Sequence, residues 1–192
     1  MSGADVRSRR WSRVEYERLI ATGIVGPGEP LELLGGHLIV SEPQGSAHFT
    51  AIRLMEDALR SAFGSGWEVR VQGPIALDDD SEPEPDVAVV RGTARDYREA
   101  HPARAALVVE VAEASLATDR QHKGSLYARA GLEEYWIVNL VDRVVEVYRS
   151  PVPDPLAPFG FRYGSAAILG PGRSASPLAR PEASIAVEDV LP

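Results

Sequence analysis

Residues 78–90 read DDDSEPEPDVAVV, and the change of character halfway along this stretch decides how the chain folds. Six carboxylates and two prolines fall within its first nine residues, as expected of a solvated acidic loop. The prolines keep the chain extended into Val87-Ala88-Val89-Val90, which has the composition of a buried strand. Asp86 stands at the lip of that strand, where a charge is costly unless something pairs with it.

The same problem recurs in ALVVEVA (106–112). Period-two alternation puts Val108, Glu110 and Ala112 on one face, so a carboxylate sits in the middle of an apolar strand. Glu110 either lies on a wet face or pairs with an arginine, or it shares a hard cation with Asp86 from an adjacent strand. Mg²⁺ suits the second reading, because it takes few protein carboxylates and keeps several waters. Lys123 falls on the helix expected over about 119–130, on one face with Leu126 and Ala130. It is either an ordinary surface lysine or, beside two carboxylates, a group that balances charge and orients an attacking water.

The flanking sequence supplies the rest of an α/β pattern. Ser12 and Glu15 in SRVE form a capping box for a helix reaching about Thr22. LELLGGHLIV (31–40) is a hairpin turning at Gly35-Gly36. Apolar residues at helical spacing from Ser46 to Phe63 end at Gly64. WEVRVQ and PIALD read as strands, and Thr118 with Gln121 as a second capping box. EYWIVNL and RVVEVYR form a second hairpin around Val141-Asp142, and weak strands follow near 161–169 and 183–187. Helix-flanked strands in this order predict an α/β (α+β) chain with a mixed central sheet, a single domain over residues 1–192.

The 192 residues carry a net charge of −8, which argues against a general nucleic-acid coat. Arg7, Arg9, Arg10, Arg13 and Arg18, together with Arg120, form the basic surface over which DNA could approach. There is no cysteine, so thiolate metal sites and disulfides are excluded. The N-terminus lacks the apolar core of a signal peptide and no apolar run suffices to span a membrane, so a cytoplasmic location is expected. There is no GxSxG elbow, P-loop, strand-linked GxGxxG or HExxH, and no organic cofactor is expected. Apolar side chains in the second hairpin (Trp136, Val138, Val145, Val147) exceed what a small sheet comfortably covers, and point to a homodimer.

SEPEPDVAVVRG, LVVEVAEASLATDRQHKGSLYARAG and EEYWIVNLVDRVVEVYR resemble the Uma-type restriction-endonuclease family of bacteria, once catalogued as a domain of unknown function. The likeness extends to LELLGGHLIV and to SPLARPEASIAVEDVLP, nearly the whole chain. That family belongs to the PD-(D/E)xK nuclease superfamily, with a restriction-endonuclease-like mixed sheet flanked by helices. The resemblance implies a Mg²⁺-dependent DNA endonuclease, with Mn²⁺ able to substitute. Asp86 and Glu110 would hold the metal, and Asp86, Glu110 and Lys123 would be catalytic. Ala112 stands where the standard pattern has Lys, and Lys123 on the following helix takes its part.

Glu32 matches an earlier Glu of the family and is either an accessory site residue or a plain strand glutamate. His48 matches a frequent histidine and is either accessory or a capping or packing residue. Gly35-Gly36-His37 replaces a turn that is commonly Asp-Gly-Glu, so any acidic role there is lost. Glu113 replaces a frequent Asp, and His101 and His122 have no role. The alternative is a catalytically silent scaffold or binding protein that retains the fold.

Overall fold

The computed structural model describes residues 8–26, 28–41 and 44–192; Arg7 of the expected basic surface lies outside them. Helix α1 (Arg13–Ala21) starts at the Ser12–Glu15 capping box read from the sequence. Strands β1 (Leu31–Leu34) and β2 (His37–Val40) form the expected hairpin, with Gly35 and Gly36 both at positive φ. A side chain at Gly35 would also collide with the Phe159 ring, its Cβ falling 2.3 Å from Cε1. Helix α2 (Ser46–Phe63) follows, closed by Gly64.

Six strands make the central sheet, in the order β3 (Trp67–Val71), β4 (Val87–Arg91), β5 (Leu107–Ala112), β6 (Glu134–Asn139), β7 (Val144–Pro153) and β8 (Phe161–Leu169). All neighbours are antiparallel except β5 and β6, so the sheet is mixed as the sequence implies. The parallel pair needs a crossover, supplied by α3 (Leu116–Thr118), a π-helical turn (Asp119–Lys123) and α4 (Gly124–Arg129), which run on with helical backbone angles throughout. A short pair, β9 (Ser174–Ala175) and β10 (Ile185–Ala186), completes the strands.

Alternation sends the sheet's side chains to two cores. One face carries Val87, Val89, Val109, Val111, Trp136 and Val138 against α2 and the C-terminal residues Ile185, Val187 and Val190. The other carries Ala88, Val108, Ala112, Tyr135 and Ile137 against Tyr127 and Ala128 of α4.

Three expectations need correction. PIALD is extended but pairs with no strand; only Asp78 forms an isolated bridge, to Ser81. Thr118 is not a helix cap, because the helical segment has already begun at Leu116 and Thr118 has helical angles. The four apolar residues of the second hairpin are not surplus surface. Trp136 and Val138 are 0 % exposed, Val145 1 % and Val147 5 %, in the core formed with α2 and the C-terminal residues. That long-range cover has no local signature in the hairpin.

Candidate active site

The site begins with strand register. Val87 pairs with Val109 and Ala88 with Val108, antiparallel, so one further step sets Asp86 opposite Glu110. The Val111 amide donates to Asp86 Oδ2 at 2.8 Å, and the Asp86 amide lies 3.4 Å from Glu110 Oε2. The two carboxylates therefore meet where β4 begins, beside the second half of β5, 6 % and 3 % exposed.

Lys123 reaches the same place from the crossover. Its Nζ lies 3.1 Å from Glu110 Oε1 and 3.3 Å from Glu32 Oε1. Glu32 also accepts from Ser41 Oγ, at the end of its own hairpin, at 2.7 Å and from the Glu84 amide of the acidic loop at 3.0 Å. From α2, His48 Nε2 lies 3.1 Å from Asp86 Oδ2, and from just before that helix Gln44 Nε2 donates to Oδ1 at 3.3 Å. All five residues expected from the sequence (Glu32, His48, Asp86, Glu110 and Lys123) thus line one cleft of about 740 Å³.

The sequence reading missed the residues that complete it. Tyr127 donates its hydroxyl to Glu110 Oε1 at 2.7 Å. Asp119, 3 % exposed, accepts from Ser115 Oγ at 2.6 Å and lines the cleft beside Lys123. Their spacing was the available signal: Asp119 and Tyr127 stand four residues before and after Lys123, and i,i+4 residues share a helix face. The π turn itself, a feature frequent at functional sites, has no sequence signature here. Glu84 and Glu113 line the cleft as well, whereas His101 and His122 do not.

The cluster is crowded with negative charge. Four carboxylates (Glu32, Asp86, Glu110, Asp119) are buried around one lysine. Burial pushes the Glu110 carboxyl well above the usual range, and Asp86, Asp119 and Glu32 push it further against the pull of Lys123. Burial likewise raises Asp119 and Glu84. For Lys123, burial opposes the charge, but the carboxylates of Glu110, Glu32 and Asp119 outweigh it and hold the ammonium protonated. Burial also opposes the charge on His48, and its contacts with Asp86 raise it above the ordinary imidazole value all the same.

An excess of buried anionic oxygens over cations is the donor set of a hard divalent ion. Among the described residues, no three His, Asp or Glu side chains converge tightly enough to cage an ion unaided. A pair of carboxylates with water completing the shell is the arrangement Mg²⁺ commonly uses, so the residues fit such an ion.

Three arginines of the expected basic surface are neutralised by carboxylates. Arg9 pairs with Glu15, Arg13 with Glu17, and Arg120 binds Glu146 through two nitrogens at 2.9 and 2.5 Å. Nor do Asp78 and Asp80 stand alone in their loop. Arg129 binds them at 2.8 and 2.7 Å, fastening the acidic loop to the end of α4.

Comparison with known proteins agrees with this architecture. The model of the Uma2 family, described as "Putative restriction endonuclease", matches residues 13–188. Among solved structures, one similar to this chain is a crystal structure from Anabaena variabilis described as "a putative nuclease belonging to DUF820". It superposes with a TM-score of 0.62 at 16 % identity, over 84 % of this chain and 90 % of that one. That likeness establishes a shared fold. No curated protein matches. Among the described residues, no helix is long and apolar enough to cross a membrane.

Proposed function

The chain belongs to the Uma2 family, and from that premise we propose that it is a metal-dependent endonuclease that hydrolyses phosphodiester bonds in DNA. The observation that carries this reading is the convergence of Asp86, Glu110 and Lys123 in one cleft, from two adjacent strands and the crossover between β5 and β6. Asp86 and Glu110 would hold Mg²⁺, with Mn²⁺ as a substitute. When bound there, such an ion would supply Lewis-acid polarisation of the phosphate and a water of lowered pKa. Lys123, charged and anchored between Glu110 and Glu32, positions the attacking water and offsets charge building on the phosphate. His48 steadies Asp86 from α2 and Gln44 from the segment just before it, and Glu32 steadies Lys123 from the hairpin. Their hydrogen bonds favour accessory roles for Glu32 and His48.

We further propose that the protein acts as a homodimer, as cleavage of both strands of a duplex favours two sites related by a two-fold axis. Support comes from β8 rather than from the second hairpin. This nine-residue edge strand is exposed from Gly164 to Ile168 and carries no charge from Tyr163 to Leu169.

Cleavage assays on double- and single-stranded DNA and on RNA, with and without Mg²⁺, test the function. The expected result is Mg²⁺-dependent cleavage of DNA that falls by at least about a hundredfold in Lys123→Ala. A chain that binds nucleic acid but cleaves none of these substrates with either Mg²⁺ or Mn²⁺ would be the silent scaffold instead.

A further inference from the structure

Buried tyrosines need a partner for the hydroxyl, and in this fold most of them use the backbone. Tyr16 donates to Leu31 O, Tyr135 to Asp119 O at 3.2 Å, and Tyr163 to Leu132 O at 2.9 Å. Tyr127 differs, because its hydroxyl meets the Glu110 carboxylate. Both residues are buried, at 0 % and 3 % exposure. The Tyr127 ring is itself held in place, 5.1 Å centroid to centroid from Tyr135.

The two oxygens of Glu110 are thereby given different work. Oε1 accepts from Tyr127 at 2.7 Å and lies 3.1 Å from Lys123 Nζ. Among the described residues Oε2 has only the Asp86 amide, at the long distance of 3.4 Å, and lies on the side where Asp86 stands. Without the phenol, Lys123 alone would hold Oε1, and the carboxylate could turn both oxygens towards the ammonium. A carboxylate pair that is to hold an ion needs one oxygen kept off it and one presented to it, and hydrogen bonds from behind the ligand commonly enforce this.

Resting on the metal-ion reading above, we infer that Tyr127 is a positioning residue that fixes Glu110 so that Oε2, shared with Asp86, faces the cation. Tyr127 touches neither the ion nor the substrate; it acts through Glu110. Tyr127→Phe removes one oxygen and keeps the ring in its core.

The test is calorimetric titration of Mg²⁺ into the folded protein, paired with cleavage kinetics. Tyr127→Phe should weaken Mg²⁺ binding by about 10- to 100-fold and lower kcat to a similar extent, with KM for the nucleic acid within about twofold. Tyr163→Phe is the control, since its hydroxyl serves a backbone carbonyl away from the carboxylates. It should lower the melting temperature and leave Mg²⁺ affinity unchanged. Should Tyr127→Phe bind Mg²⁺ like the unaltered chain, the positioning role is overturned while the metal reading stands. Should the unaltered chain bind neither Mg²⁺ nor Mn²⁺, the metal reading fails and takes this role with it. A loss of melting temperature alone in Tyr127→Phe, at normal affinity and kcat, would mark the tyrosine as structural.

Discussion

At Glu82 the carboxylate is 2 % exposed, and its Oε2 has no hydrogen-bond partner among the described residues. Among the described residues the nearest cation is Arg13, 3.9 Å away. Burial pushes its pKa up to about 7, helped by the charge of Glu17 and opposed by Arg13. The unfolded chain releases this proton near pH 4.5, whereas the folded chain keeps it until about pH 7. Stability must therefore fall as pH rises through that window, by up to on the order of 3 kcal/mol if Glu82 acted alone. Glu82→Gln should remove much of this loss, melting higher than the unaltered chain at pH 8 and close to it at pH 4.5. Identical pH profiles for the two proteins would show that Glu82 ionises without cost. At this same scale, Asp86 and Glu110 were legible because charges at or within apolar strands are conspicuous, whereas Lys123 stands in a polar run and gained meaning only beside those two carboxylates. Tyr127 was not, because a tyrosine on an amphipathic helix reads as core until its hydroxyl is located.

Among the elements, those specified by local chemistry were legible and those specified by distant contacts were not. Ser12 with Glu15, Gly35-Gly36 and Gly64 each set a boundary within a few residues of themselves, and α1, the first hairpin and α2 follow them. Thr118 and Gln121 imitate a capping box, yet the helical segment starts earlier and passes through a π turn. Strand β8 looked weak because Gly164, Ser165, Ala166 and Ala167 have little β-propensity, but it forms the full-length partner of β7. Its outer edge is the consequential one. The opposite edge, β3, carries Glu68 and Arg70, charges of the kind that discourage pairing with another chain. Antiparallel pairing of two β8 strands about a two-fold axis would bring no like charges together between Tyr163 and Leu169. Light scattering should give a dimer mass, and Ile168→Lys, at a site 68 % exposed in this chain, should give a monomer that keeps its fold. A monomer mass for the unaltered chain would refute the assembly, and a dimer that survives Ile168→Lys would place it elsewhere.

Across the whole molecule the net charge of −8 is unevenly employed. Many of the carboxylates are paired with arginines: Glu146 with Arg120, Glu134 with Arg149, and Asp78 and Asp80 with Arg129. Those pairs brace the sheet, its crossover and the acidic loop. The carboxylates of the cleft share a single lysine, and the imbalance falls at Asp86 and Glu110. The central claim is that a divalent cation corrects it there. Isothermal titration of Mg²⁺ into Asp86→Asn, beside a variant with Asp78, Asp79 and Asp80 all changed to Asn, tests this most directly. The triple variant should lose stability as Arg129 loses its partners, yet bind Mg²⁺ with nearly unchanged affinity. Asp86→Asn should bind none, because the ion would lose one of two charged ligands. Equal loss of binding in both variants would contradict the account and assign the cation to the acidic loop.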